Sequence, residues 1–140
     1  MREIKHIVIH CTATHQSATV DAIQNYWKQV LKWKSPGYHR IIKANGEVAI
    51  LAPYANPTNG VGGGWNSHSI HISYIGGVDR ANKPIDNRTP EQLKTMEALV
   101  RDLKKEFPNA EVCGHRDFPG VKKACPSFDV KAWLNRMNIK

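Results

Sequence analysis

Residues 4–10 read IKHIVIH, and their apolar character, continuous through Ile7-Val8-Ile9, is that of a β-strand buried on both faces. Such a strand belongs inside a sheet with other structure packed on it. His10 closes it, and a polar side chain at a strand end often faces a site. Downstream the spacing changes: Val20, Ile23, Trp27, Val30 and Leu31 recur at helical intervals behind Thr19, which can cap a helix, and Ser35-Pro36-Gly37 is expected to stop it. Residues 38–43 and 47–51 flank Ala44-Asn45-Gly46, a strong hairpin signal between two β-prone runs.

The passage 59–66, NGVGGGWN, reads as a loop that lets backbone approach closely, and it lacks the Gly-Lys-Ser/Thr ending of a phosphate-binding loop. Ile70, Ile72 and Tyr74 then alternate with Ser69, His71 and Ser73, predicting a strand with unlike faces that ends at Gly76-Gly77. After a turn-rich stretch, Thr89-Pro90-Glu91-Gln92 supplies a cap, a first-turn proline and a capping-box glutamine. The helix they begin has the stripe Leu93, Met96, Val100, Leu103 and Phe107, carries basic residues toward its C-terminal end and closes at Pro108. Residues 111–113 predict a short strand. Pro126 and Ser127 prepare a last helix with Val130, Trp133, Leu134 and Met137 on its apolar side. The order β, α, β, β, β, α, β, α predicts an α/β fold: one domain over residues 1–140, with a mixed central sheet flanked by about three helices.

Composition bounds the function. A chain of 140 residues, 41% hydrophobic, can bury a core without disulfide staples, and no run of about 18 apolar residues is present to cross a bilayer. Ile7-Val8-Ile9 is too short for the core of a secretory signal, so action outside the cytoplasm requires another route of release. Three cysteines, Cys11, Cys113 and Cys125, cannot pair completely, which argues for reduced thiols. The net charge of +8 favours anionic partners, but no helix-turn-helix, zinc-finger or RNP-type pattern accompanies it, and nucleic-acid binding is disfavoured.

The chemistry converges on residues 114–129, GHRDFPGVKKACPSFD. His115 and Cys125 are both good Zn²⁺ donors, and His10 at its strand end is the natural third. Two nitrogens and one sulfur leave a tetrahedral ion with one open position, the pattern of a catalytic rather than a sealed site. Cys113 competes with Cys125, because Cys113-Gly114-His115 places donors at i and i+2 on one strand face, although a core role suits it better. Cys11 should point to the opposite sheet face from His10. Asp117 suits a turn hydrogen bond better than catalysis. His39 and His68 read either as cleft residues or as solvated ones, and Trp65 either stacks on a ligand or packs its loop down. No His-Glu-x-x-His motif supplies a glutamate base.

IVIHCTAT at 7–14, GYH at 37–39, WNSHSIHISYIGG at 65–77, and GHRD with KACPSFD between 114 and 129 resemble, in order, the phage-lysozyme-type N-acetylmuramoyl-L-alanine amidases. That zinc amidase family shares its fold with the peptidoglycan recognition proteins. The resemblance implies that His10, His115 and Cys125 hold Zn²⁺ and that Tyr38 and Lys123 are the catalytic side chains. It implies hydrolysis of the amide between N-acetylmuramic acid and L-alanine in peptidoglycan, and the charge of +8 adds anionic cell-envelope polymers as further partners. A monomer is expected, which accumulates in the cytoplasm and reaches the wall on release as a phage endolysin does; an exported effector would look the same. His71 departs from the family, which usually has glycine there, and is expected to crowd the groove or add a substrate contact. The alternatives are a noncatalytic peptidoglycan-binding module of the same fold, or a basic regulatory protein with a structural zinc.

Overall fold

The computed structural model describes residues 2–62 and 64–140; Gly63, inside the glycine-rich passage, lies outside them. Five strands, β1 (His6–Cys11), β2 (Arg40–Ile42), β3 (Val48–Ile50), β4 (Ser69–Tyr74) and β5 (Glu111–Gly114), form one sheet in the order β3-β2-β4-β1-β5. β1 pairs in parallel with both β4 and β5, β2 pairs in parallel with β4, and only β3 runs antiparallel, as the hairpin partner of β2. The sheet is mixed, as predicted. The interior position of β1, between β4 and β5, explains why Ile7, Val8 and Ile9 are fully buried: the strand is covered on both faces and paired on both edges.

Three helices, α1 (Val20–Gln29), α2 (Pro90–Glu106) and α3 (Val130–Met137), complete the element order read from sequence. Ile7, Ile9 and Cys11 of β1 and Ile70, Ile72 and Tyr74 of β4 pack with Met96, Val100 and Leu103 of α2 and with Val130 and Trp133 of α3. On the other sheet face Ile41 and Ile75 pack with Ile23 and Trp27 of α1. Thr19 caps α1 by accepting the Ala22 N–H at 3.1 Å, and Thr89 and Gln92 form the full capping box of α2. Asp129, rather than Ser127, caps α3.

Two predicted features differ. α1 ends at Gln29, leaving Val30 61% and Leu31 38% exposed, because the chain turns back through Lys32 at φ 59° and Trp33 stacks on Trp27 with ring centroids 6.2 Å apart. β4 is not half-solvated: all six residues are buried, so the polar row Ser69, His71, Ser73 faces protein rather than water.

Candidate active site and metal centre

The candidate side chains gather at the C-terminal end of β1. β1 presents His10, 1% exposed, on the face opposite Ile9 and Cys11. β5 ends at Gly114, and His115 opens a short 3-10 turn (His115–Asp117) held by Asp117 Oδ2, which accepts the Gly114 N–H at 2.8 Å. Gly114 is required by space: a Cβ there would lie 2.9 Å from Pro126 Cδ and 3.0 Å from Val130 Cγ2. The 114–129 stretch folds back on itself, since the Arg116 N–H donates to the Cys125 carbonyl at 2.9 Å. Cys125 is docked on β1, its Sγ accepting the Cys11 N–H at 3.1 Å. As a result one ligand atom each from His10, His115 and Cys125 lies within 4.8 Å of the other two, and Cys125 Sγ is 3.9 Å from His10 Nδ1.

The electrostatics suit cation binding. Burial, then the neighbouring His71, His115 and Lys123, hold His10 well below the usual imidazole range, and burial followed by Lys123 lowers His115 to about 4. Both rings are therefore neutral at pH 7, with a lone pair available. The hydrogen bond with Cys11 and burial push the Cys125 thiol well up; a bound cation reverses this, because coordination deprotonates a thiol. Burial and then the two adjacent sulfurs push Tyr38 up as well, which keeps its phenol neutral. Its Oη donates to the Cys11 carbonyl at 3.2 Å, and its ring centroid lies 4.9 Å from that of His10.

These groups open into a cleft of about 710 Å³. His115, Cys125, Tyr38 and the exposed Lys123 line it, together with an apolar flank that includes Tyr26, Trp27, Leu31 and Trp33. An apolar wall beside a few convergent polar groups is the usual make-up of a small-molecule site. Leu31, read from sequence as helix core, belongs to this wall.

The remaining candidates separate cleanly. Cys113 is packed with Val8 and Phe118, its thiol pushed up to about 12 by burial, and it stands outside the donor triad. Asp117 holds the turn. Cys11 packs on the α2/α3 face as expected. Trp65 packs its loop down, with ring centroids 5.1 Å from Phe118 and 5.8 Å from His6, and does not line the cleft. His68 Nδ1 meets the Glu3 carbonyl at 3.1 Å and is likewise absent from the cleft lining. His39 is fully buried, neither in the cleft nor solvated. His71 is also fully buried and makes no groove contact; its Nδ1 lies 2.8 Å from His10 Nε2. Asn66, read only as part of a loop, bonds to His71 with its Oδ1 2.9 Å from Nε2, and nothing in local composition marks that partnership across five residues.

A family model described as N-acetylmuramoyl-L-alanine amidase matches residues 1–128. The endolysin of Klebsiella phage KP32 is 33% identical over 142 aligned residues, covering 99% of this chain and 90% of its own length. In three dimensions the chain is similar to the N-acetylmuramoyl-L-alanine amidase LysC from Clostridium intestinale, with a TM-score of 0.81 at 23% identity over 99% of this chain and 88% of that one. It is similar as well to Drosophila PGRP-LB, with a TM-score of 0.75 at 15% identity over 99% and 84% of the two chains. A cleft with a His, His, Cys donor set at the end of a central strand is thus found in a chain matched nearly from end to end, and the chain belongs to the N-acetylmuramoyl-L-alanine amidase family.

Proposed function

We propose that residues 1–140 form a zinc-dependent amidase domain that hydrolyses the bond between the lactyl group of N-acetylmuramic acid and the L-alanine of the stem peptide. His10, His115 and Cys125 hold the ion, and Tyr38 and Lys123 are the catalytic side chains. The observation that carries this reading is that Tyr38, His115, Lys123 and Cys125 line one cleft while the buried His10 lies directly behind it, its donor atom grouped with those of His115 and Cys125 and its ring against Tyr38.

The donor set fits zinc. Tetrahedral coordination with ordinary Zn–N and Zn–S lengths sets nitrogen and sulfur about 3.6 Å apart. The 3.9 Å between His10 Nδ1 and Cys125 Sγ is within a few tenths of that. When bound, the ion supplies Lewis acidity, acidifying water and polarising the amide carbonyl. The chain supplies the rest. Lys123, whose charge already reaches His10 and His115, lies where it can stabilise negative charge developing on the carbonyl oxygen. Tyr38, kept neutral by burial, is a hydrogen-bond donor at the same centre. The apolar flank from α1 excludes water from one side and strengthens both interactions.

The intact donor set beside Lys123 and Tyr38 supports an enzyme over a noncatalytic binding module of the same fold. The likeness to a phage endolysin supports action on the cell wall, and the charge of +8 supports retention on an anionic envelope; accumulation in the cytoplasm before release and a monomeric state complete the proposal. Among the described residues no helix is long and apolar enough to cross a membrane. Mass spectrometry of digested peptidoglycan tests the proposal. Zinc-loaded protein is expected to release free stem peptides from intact glycan strands, and chelation or Cys125→Ala to abolish that release. Products cleaved only at sugar bonds would sink the amidase reading.

A further inference from the structure

Beneath the donor triad, the polar row of β4 carries a hydrogen-bond chain whose direction can be worked out from its far end. The Val61 backbone N–H donates to Asn66 Oδ1 at 3.0 Å, which identifies that atom as the amide oxygen. The same oxygen lies 2.9 Å from His71 Nε2, so Nε2 must carry the proton and donate. In a neutral ring Nδ1 is then an acceptor. His71 Nδ1 is 2.8 Å from His10 Nε2, so His10 must be protonated at Nε2, and its lone pair is left on Nδ1, the nitrogen that faces Cys125 Sγ.

The geometry points to His71 as a positioning residue that selects the His10 tautomer able to bind the ion. This rests on the proposed role of His10 as a ligand. The surroundings are built to hold His71 in place. Its backbone N–H donates to His39 Nδ1 at 3.0 Å, and the other nitrogen of that ring donates to the Asn56 carbonyl at 2.7 Å. Its ring is fully buried, and a Cβ on Gly60 would overlap it, so the glycine-rich loop is shaped around the imidazole. A ligand histidine whose second nitrogen is tied to an acceptor binds metal in a set orientation, and loss of such a partner typically lowers affinity about 10- to 100-fold. Here an imidazole anchored through Asn66 stands where a carboxylate or carbonyl acceptor is usual.

Two measurements test this. Long-range ¹H–¹⁵N spectra of the metal-free wild-type protein near neutral pH should show both His10 and His71 as Nε2–H tautomers; a His10 ring protonated at Nδ1 would overturn the inference without any variant being made. Zinc competition against a chromophoric chelator provides the second readout. His71→Leu, which has no acceptor, should weaken zinc about 10- to 100-fold, while His71→Asn, whose Oδ1 can replace Nδ1, should remain within about threefold of wild type. Equal affinity for the Leu variant and wild type overturns the role of His71, provided that His10→Ala loses tight zinc binding. If His10→Ala retains it, the proposed donor set fails and this inference fails with it.

Discussion

At the scale of single residues, Lys123 and the proposed metal donors pull in opposite directions, and this makes their proposed roles separable. The Lys123 charge disfavours any further positive charge at His10 and His115, and so opposes a cation between them. Lys123→Met is therefore expected to tighten zinc modestly while lowering kcat by about 10²- to 10³-fold, the usual cost of losing one oxyanion-stabilising group. Tyr38→Phe should lower kcat with zinc affinity unchanged, because the lost bond runs to the Cys11 carbonyl and not to a donor atom. Zinc titration beside steady-state kinetics checks both, and unchanged kcat in either variant removes that residue from the catalytic pair. The grouping of His10, His115 and Cys125 was legible because they stand at strand ends or in a loop rich in turn residues, and the fold brings the three together. His71 was misread for a physical reason. An alternating Ser-Ile-His-Ile-Ser-Tyr run has the same pattern whether its polar row meets water or a buried hydrogen-bond network, and only the folded partners, Asn66 in the preceding turn and His39 from across the sheet, distinguish the two.

At the scale of elements, the capping box of α2 also joins the helix to the sheet. Gln92 is fully buried; its Oε1 accepts the Thr89 N–H at 2.9 Å, while its Nε2 donates to the Ile42 carbonyl at 3.1 Å and the Ile75 carbonyl at 3.0 Å. The Ile42 oxygen also accepts the Ile75 N–H, so Gln92→Leu strands chiefly the Ile75 carbonyl and the Thr89 N–H. Loss of these bonds in a buried setting is expected to cost about 1–3 kcal/mol in urea unfolding, with zinc affinity unchanged because the triad lies elsewhere on the sheet. A stability change below the error of the measurement would mean that water replaces the amide. The start of α2 was legible because its cap, proline and glutamine act within one turn. The end of α1 was not, because Val30 and Leu31 continue the helical spacing while the stacking of Trp33 on Trp27, a tertiary effect, turns the chain away.

For the whole molecule, the order of elements and the mixed sheet followed from hydrophobic period and turn chemistry, whereas the concentration of buried imidazoles on one sheet face appears only once β1, β2 and β4 are paired. That concentration sets the response to acid. His10, His39, His71 and His115 are all held below the ordinary imidazole value, first by burial, with His39 and His115 at about 4. A lowered folded-state value means that, below pH 6.5, the unfolded chain binds protons the folded chain refuses, so stability is present above that pH and is lost as pH falls toward 4. His39 alone accounts for on the order of 3 kcal/mol across this window, at about 1.4 kcal/mol per pKa unit. The metal-free protein should therefore show a Tm that drops steeply between pH 6.5 and 4, with more than one proton taken up on unfolding at pH 5. Zinc should steepen that loss, since acid must also displace the ion by protonating Cys125 and the two ligand imidazoles. A metal-free Tm that stays level down to pH 5 would show that these rings accept protons inside the folded protein, and that their burial does not govern its acid stability.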